Sequence, residues 1–569
     1  MRVGRRLCPK VLLTDQTIHP HRNSYRGDLR PVLVPMPKKE RNRMKKSTYL
    51  LMMVAICFGL VLTVHAKKKH VLFIAVDDMK PLVKSYGYKE AHTPNMDKLA
   101  NAGTVFSNAH CQQALCGPSR VSMLSGFYPD TIGIYGMSGG RYKFRNMYPD
   151  MVTLPQHFRN NGYTTIGTGK IFDPRNLNDN WHGVQDEDSW TAFFGKNPFN
   201  KQTGGPIVGG HYHDPALKEL SNRLNKEGKK KGLSGKELRF YVRDQGGGPA
   251  IECYDVPDDA YQDGAIATRG IEQLEKLKNS NKPFFLALGF LKPHLPFVAP
   301  KKYWDLYERD QLILAPFQAY PTYAPACAQT DYIEARGYSG VPEEGPIDEA
   351  TQRELLHGYY ACISYVDAQI GLVLEKLKET GLAKDTIVVL WGDHGFHLGD
   401  KQIWGKHTNY EESTRVPLIF ANTGIPGGTV SHAPVNLIDV YPTLCEVAGI
   451  DIPQGLDGKS LVSVLKNPEV SVQEAAASIY PHSGYYGVAI RTKRYRYVTW
   501  YRTKVSKEFH GVRFADEPEF SELYDYQKDP DERKNLVDHP AYTDIEKKLA
   551  RLNREHIEFT QSKQFRTGK

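Results

Sequence analysis

Four short runs of apolar, β-branched and aromatic residues, each closing on charged or polar residues, constrain this chain more than any other feature. They are HVLFIAV (His70–Val76), YTTIGT (Tyr163–Thr168), PFFLALGF (Pro283–Phe290) and TIVVLW (Thr386–Trp391). A run with almost no polar position leaves no face for water, so each is predicted to be a strand covered on both sides, as in parallel sheets. Helical patterns separate the runs. The clearest extends from Asp348 to Thr380, with Leu355, Leu356, Tyr360, Ile363, Val366, Ile370, Val373, Leu374 and Leu377 on one face and Gly381 as the C-cap. Strands alternating with helices predict an α/β sandwich around a mainly parallel sheet.

The residues that follow the strands carry the chemistry. The first run leads into Asp77-Asp78, the second into Gly169-Lys170, the third into Lys292-Pro293-His294 and the fourth into Gly392-Asp393-His394. Ligand sites of open α/β sheets lie at the carboxyl ends of the strands, so these groups are expected to meet. Asp77, Asp78 and Asp393 would repel one another unless protonated or shared by a hard divalent cation. Calcium suits the oxygen-rich set, whereas the nitrogen of His394 would suit zinc better. The competing role for Asp77-Asp78 alone is a helix N-cap pair.

The stretch ALCGPSRVSMLSG (Ala114–Gly126) has a proline suited to a first helical turn, which places Cys116 at a helix N-terminus. Backbone N–H groups there favour anions, and Arg120, one turn in, can hold a tetrahedral oxyanion. A thiolate nucleophile is one reading, but the Cys-x5-Arg spacing of thiol phosphatases fails because position 122 is serine. A disulfide to Cys111 is a local alternative.

The first 66 residues differ from the rest. A basic stretch (Arg41, Arg43, Lys45, Lys46) precedes an uncharged run of about 16 residues, short of a membrane span, and Val64-His65-Ala66 supplies small-residue cleavage character. This reads as a signal peptide with Met44 as the natural start and cleavage near Ala66; an uncleaved anchor is the alternative. The segment carries 13 Lys+Arg and 3 Asp+Glu, so the remainder holds 61 of each, and the overall +10 is no argument for nucleic-acid binding. Six widely spaced cysteines remain, which is neither a disulfide scaffold nor a CxxC metal site. Residues 196–250 read as a long surface insertion. From about Ser478 the texture turns to period-two alternation, so the expected division is 1–66, a catalytic α/β domain over 67–477 and a small C-terminal α+β subdomain with antiparallel strands over 478–569.

CGPSR followed by LSG resembles the signature Cys-x-Pro-Ser-Arg of the type I sulfatases, read by the enzyme that oxidises the cysteine to formylglycine. The resemblance continues through Thr93–Arg120, FLALGFLKPHLPF, GDHGFHLGDKQIWGKHTNYEE and ELYDYQKDPDERKNL, covers roughly His70 to Leu536, and is greatest to the iduronate-2-sulfatase branch. It implies an alkaline-phosphatase-like fold. It implies that Cys116 becomes formylglycine, whose hydrated aldehyde attacks sulfur, and that Arg120 fixes it. Asp77, Asp78, Asp393, His394 and residue 116 would bind one Ca2+; the Asp-His pair is that branch's variant of the usual Asp-Asn. Lys170, His294 and Lys406 would clamp sulfate oxygens, with His294 able to protonate the departing sugar oxygen. One position departs from the pattern: the family's histidine three residues after the lysine is Asp173 here. Asp173 as a proton acceptor, His182 as a substitute, or Asp173 as a plain loop acid are the open readings.

The function expected is thus an exported, periplasmic or secreted hydrolase of a sulfated saccharide, with the maturation enzyme as a transient partner and neither nucleic acid nor a membrane as a ligand. A phosphatase or phosphonate/phosphodiester hydrolase of the same superfamily is the alternative, although only one complete metal set is visible. A sulfoglycan-binding protein without activity is a third reading.

Overall fold

A computed structural model describes residues 68–137, 142–178, 185–194, 212–330, 332–503 and 517–563. The expected signal peptide and His182 lie outside the described residues, and among those described no helix is long and apolar enough to cross a membrane.

The central sheet has eight strands: β1 (His70–Asp77), β2 (Gly103–Phe106), β3 (Thr164–Gly169), β4 (Ala192–Phe194), β5 (Phe284–Pro293), β6 (Thr386–Gly392), β7 (Leu418–Ala421) and β8 (Thr429–Ser431), in the order β8-β2-β7-β6-β1-β5-β3-β4. β7 alone runs antiparallel to its neighbours. The four apolar runs are therefore adjacent strands (β6-β1-β5-β3) in the middle of the sheet, all pointing the same way. Alternation within β1 explains why every residue is apolar. Val71, Phe73 and Ala75 face one helical layer while Leu72, Ile74 and Val76 face the other.

The first layer includes α2 (Cys116–Ser125), α3 (Leu154–Asn160) and α8 (Val440–Ala448); the second includes α1 (Pro94–Ala102), α6 (Gln262–Leu277) and α7 (Glu349–Glu379). The long helix α7 starts where its sequence predicts, with the Asp348 carboxylate accepting the Thr351 amide at 2.9 Å, and stops before Gly381, which adopts φ 74°. From residue 212 on the insertion is helical, which its composition does not suggest: α4 (Pro215–Lys230) and α5 (Gly235–Asp244) form a hairpin around Leu224, Leu238 and Val242. Leu217, Leu220 and Leu224, then Leu238, Tyr241 and Val242, recur at helical spacing beneath the lysine-rich composition.

At the C-terminus, β9 (Ala476–His482), β10 (Tyr485–Arg491), β11 (Tyr495–Arg502) and β12 (Phe520–Asp525) form an antiparallel sheet covered by α9 (Thr543–Lys563). Asn553 of α9 accepts from Thr499 and donates to the Val488 carbonyl, both at 2.8 Å. β9 joins the loop leading into α2: the Ile479 amide donates to Gln112 O (2.8 Å) and the Ser478 hydroxyl to Cys111 O (2.6 Å). Asp130 makes a second junction, its carboxylate accepting from Tyr486 of β10 and from Tyr135 (3.3 Å).

Burial pushes the Asp130 carboxyl up to about 6, against its two tyrosine donors. A carboxyl raised on folding stabilises below its unfolded pKa, near 4, and that contribution is lost as pH rises through 6. Asp130→Asn is therefore expected to match wild type at pH 4 and to exceed it by about 2 kcal/mol at pH 7.5, at roughly 1.4 kcal/mol per pKa unit discounted for relaxation. Denaturation midpoints at the two pH values test this, and parallel pH profiles would count against it.

Candidate active site

The carboxyl ends of β1, β3, β5 and β6 and the N-terminus of α2 converge on one buried cluster. Asp78 leaves β1 in the left-handed region (φ 59°), held by its own amide to Asp393 Oδ1 (3.0 Å) and by Tyr359, whose hydroxyl donates to its carbonyl (2.7 Å). A non-glycine residue there is strained, and such turns concentrate at functional sites. The twist sends Asp77 and Asp78 to opposite sides of the cluster. Gly169 at the end of β3 has φ 80°, and a side chain there would strike the Gly289 carbonyl of β5. That close approach lets the Lys170 amide bond Gly289 O (2.8 Å) and turns its ammonium onto Asp77, at 2.7 and 3.0 Å.

Cys116 opens α2 and is 1% exposed. Its Sγ lies 3.2 Å from His394 Nε2 and 3.8 Å from Asp78 Oδ1. Cys111 is also a free, buried thiol, so the disulfide alternative is not formed. A side chain at Gly117 would collide with Asn176 and Met137, which explains the glycine between Cys116 and Pro118. Burial, then Asp77, push the Cys116 thiol well above its ordinary value.

Arg120 is fully buried and bridges the acids. Nη2 donates to Asp77 (2.9 Å), Nε to Asp393 (2.8 Å), and Nη1 to the carbonyls of Lys170 and, at 3.2 Å, Ile171. Trp391 of β6 lies 5.5 Å beneath the guanidinium. Lys406 holds Asp78 at 2.7 and 2.9 Å. Burial raises the carboxyls of Asp77 and Asp78, but opposing charges win: Lys170 and Arg120 hold Asp77 well below the carboxylate range, and His294 with Lys406 holds Asp78 at about 2. Burial leaves Asp393 raised. His294 has Nδ1 2.6 Å from Leu295 O, which leaves Nε2 facing the cluster, and burial lowers its pKa. All nine residues expected at the site are thus in one place.

Donor atoms of Asp77, Asp78, Cys116 and His294 lie within 4.8 Å of one another, as do those of Cys116, Asp393 and His394. Together the two sets bring three carboxylates, two imidazoles and the Cys116 sulfur to one place, and the carboxylates are the part that suits a hard divalent cation. Asp173 is fully buried, 3.5 Å from Lys170 and bonded through both oxygens to Arg175, which holds its carboxyl well below the usual range. Its carboxylate also accepts the Arg175 amide at 3.0 Å and so caps the turn Pro174–Asn176, as a loop acid does. Two contributors carried no sequence signal: the Ser119 hydroxyl, which donates to the Asp393 carbonyl at 2.5 Å, and Glu334, 3.1 Å from Lys406. The first sits inside a motif whose other residues explain it; the second lies in an irregular stretch without period.

The sulfatase family model matches residues 69–450, and that of the C-terminal region of N-sulphoglucosamine sulphohydrolase matches residues 399–558. Human iduronate 2-sulfatase is 30% identical over 548 residues, covering 84% of this chain and 91% of that one. Two solved structures, each 22% identical, show the same fold. One is a protein in complex with its substrate D-glucosamine-2-N,6-O-disulfate (TM-score 0.62; 87% of this chain, 99% of that chain), and the other is a phosphonate monoester hydrolase from Silicibacter pomeroyi (TM-score 0.61; 88% and 96%). The fold by itself is common to both chemistries, whereas the family match spans more than half of the chain and carries the whole cluster from Asp77 to Lys406. The chain belongs to the sulfatase family and is a sulfuric ester hydrolase.

Proposed function

We propose that the chain is an exported sulfatase that hydrolyses a sulfate ester of a saccharide, from a glycosaminoglycan or another sulfated glycan, with formylglycine at position 116 and one Ca2+. The observation that carries the reading is the placement of Cys116 Sγ beside His394 and Asp78, between the cations Lys170 and Lys406, in a cluster drawn from strands far apart in sequence.

Residue 116 as formylglycine would supply a hydrated aldehyde, one hydroxyl to attack sulfur and the other to expel sulfate afterwards. Asp77, Asp78, Asp393 and His394 would hold the cation, whose charge favours an ionised oxygen at position 116. Arg120 keeps Asp77 and Asp393 together and orients the first turn of α2. Lys170 and Lys406 sit on the acids and are the groups able to meet the equatorial oxygens of a sulfate, where charge builds as the ester bond breaks. His294 Nε2 faces the place of the leaving sugar oxygen and would protonate it from the imidazolium form, since the Nδ1 proton is committed to the Leu295 carbonyl. Asp173, paired with Arg175, fixes Lys170 rather than taking part in proton transfer; Arg175 leaves it no free oxygen.

Removal of the cation is expected to leave Asp77, Asp78 and Asp393 mutually repelling. Dialysis against a calcium chelator should lower activity at least 100-fold and shift thermal unfolding several degrees down, with calcium restoring both. An unchanged thermal midpoint and full activity after chelation would rule the cation out. A saccharide-sulfate panel beside an aryl sulfate and an aryl phosphonate tests the substrate; preference for the phosphonate would favour the alternative esterase.

A further inference from the structure

Side chains on the rim beyond His294 and Lys406 have no part in the chemistry above. Residues 332–334 lie against the turn 404–407 so closely that a Cβ on Gly405 would meet the Glu334 amide nitrogen at 3.2 Å. Tyr332 is 45% exposed and stacks on His407, with ring centroids 4.6 Å apart and 14° between planes. Glu334 points inward: Oε2 is 3.1 Å from Lys406 Nζ and Oε1 is 3.7 Å from His294 Nε2. Oε2 is nevertheless a buried acceptor with no aligned hydrogen-bond donor among the described residues. The lysine is close enough to attract it but is aimed at Asp78, 2.7 Å away, and one ammonium cannot neutralise two carboxylates. The segment is fixed from behind, since Arg243 of α5 donates to the Arg336 carbonyl (2.9 Å) and Arg336 to Pro342 O (2.7 Å).

We infer that Tyr332 and Glu334 form the subsite for the sulfated sugar ring, selecting a neutral, hydroxyl-bearing pyranose over a uronate at that position. This rests on the saccharide reading proposed above. The exposed face of Tyr332, stiffened by His407, offers an apolar platform for the C–H face of a pyranose. Glu334 and Asp78 share the single ammonium of Lys406, so the Glu334 carboxylate keeps accepting capacity beside His294 and is placed to accept from the hydroxyl next to the sulfated carbon. That hydrogen bond completes a carboxylate that a shared ion pair satisfies only in part. A ring carboxylate in the same place brings two anions together in a low-dielectric pocket and is rejected.

The test compares kcat/KM for a neutral hexopyranose and the matching hexuronate, both sulfated at the same carbon. Wild type is expected to prefer the neutral sugar. Glu334→Gln should reduce that preference at least about tenfold, whereas Glu334→Asp should keep most of it. Tyr332→Ala should raise KM for the neutral sugar about tenfold with kcat within about threefold, and Tyr332→Phe should restore KM. Calorimetric binding of the neutral sulfated sugar to Cys116→Ala should weaken about tenfold when Tyr332→Ala is added, independently of turnover. A wild-type preference for the uronate, or an equal loss on both sugars in Glu334→Gln, overturns the inference and leaves the saccharide reading intact. Turnover of an aryl sulfate but of neither sugar overturns the saccharide reading itself.

Discussion

Cys116→Ala is expected to lose at least about 10^4-fold in kcat/KM for any sulfate ester while unfolding close to the wild-type temperature. The argument is one of geometry. Sγ is the group that stands 3.2 Å from His394 and 3.8 Å from Asp78; the neighbouring carboxylates are paired with Arg120, Lys170 and Lys406 and the Ser119 hydroxyl is given to the Asp393 carbonyl, which leaves position 116 as the nucleophile. Removing one sulfur from a buried helix start costs on the order of 1 kcal/mol, so misfolding does not account for the loss. Cys116→Ser, which keeps the size and polarity but not the oxidisable sulfur, should be about as inactive. Activity above one-hundredth of wild type in either variant, with native unfolding, would place the chemistry elsewhere.

Arg120→Met should damage stability as well as activity. The guanidinium is fully buried, donates to Asp77, Asp393 and two main-chain carbonyls, and burial is outweighed by those acids so that its pKa is raised. Removing one partner of such a network strands two buried carboxylates, at about 3–5 kcal/mol. Arg120→Lys is expected to recover little, because a single ammonium cannot span both acids and reach the carbonyls of Lys170 and Ile171. Denaturant midpoints measure this, and a loss below about 1 kcal/mol in Arg120→Met would mean that the two acids are neutralised by something other than Arg120. Added calcium should return part of the lost stability, since the stranded acids are then its ligands.

The central strands were legible because a strand buried on both faces must be apolar throughout, and the chain has four such runs of six to eight residues. Once the strands are placed, the rule that ligands bind at their carboxyl ends gathers Asp77, Lys170, His294 and Asp393 without a single distance. The start of α2 followed from Pro118 alone. What stayed hidden depends on contacts across the fold. The α4–α5 hairpin is an exception, since its helical period is present in the sequence beneath a lysine-rich composition. β7, the one antiparallel strand, is four residues long and reads like any apolar fragment. Glu334 and Tyr332 matter only because Gly405 lets their segment close on Lys406 and His407, a relation between residues 70 positions apart. Asp173 was ambiguous for a different reason: its partners Arg175 and Lys170 are two and three residues away, but in an irregular loop spacing does not say which side chains meet.

The most direct measurement is the mass of the tryptic peptide Leu99–Arg120 from enzyme produced with a formylglycine-generating partner, taken on the same sample as the specific activity. The account predicts an aldehyde at position 116 in a fraction of molecules that rises in proportion to activity across preparations. A fully active sample whose peptide carries only the unmodified thiol would contradict it.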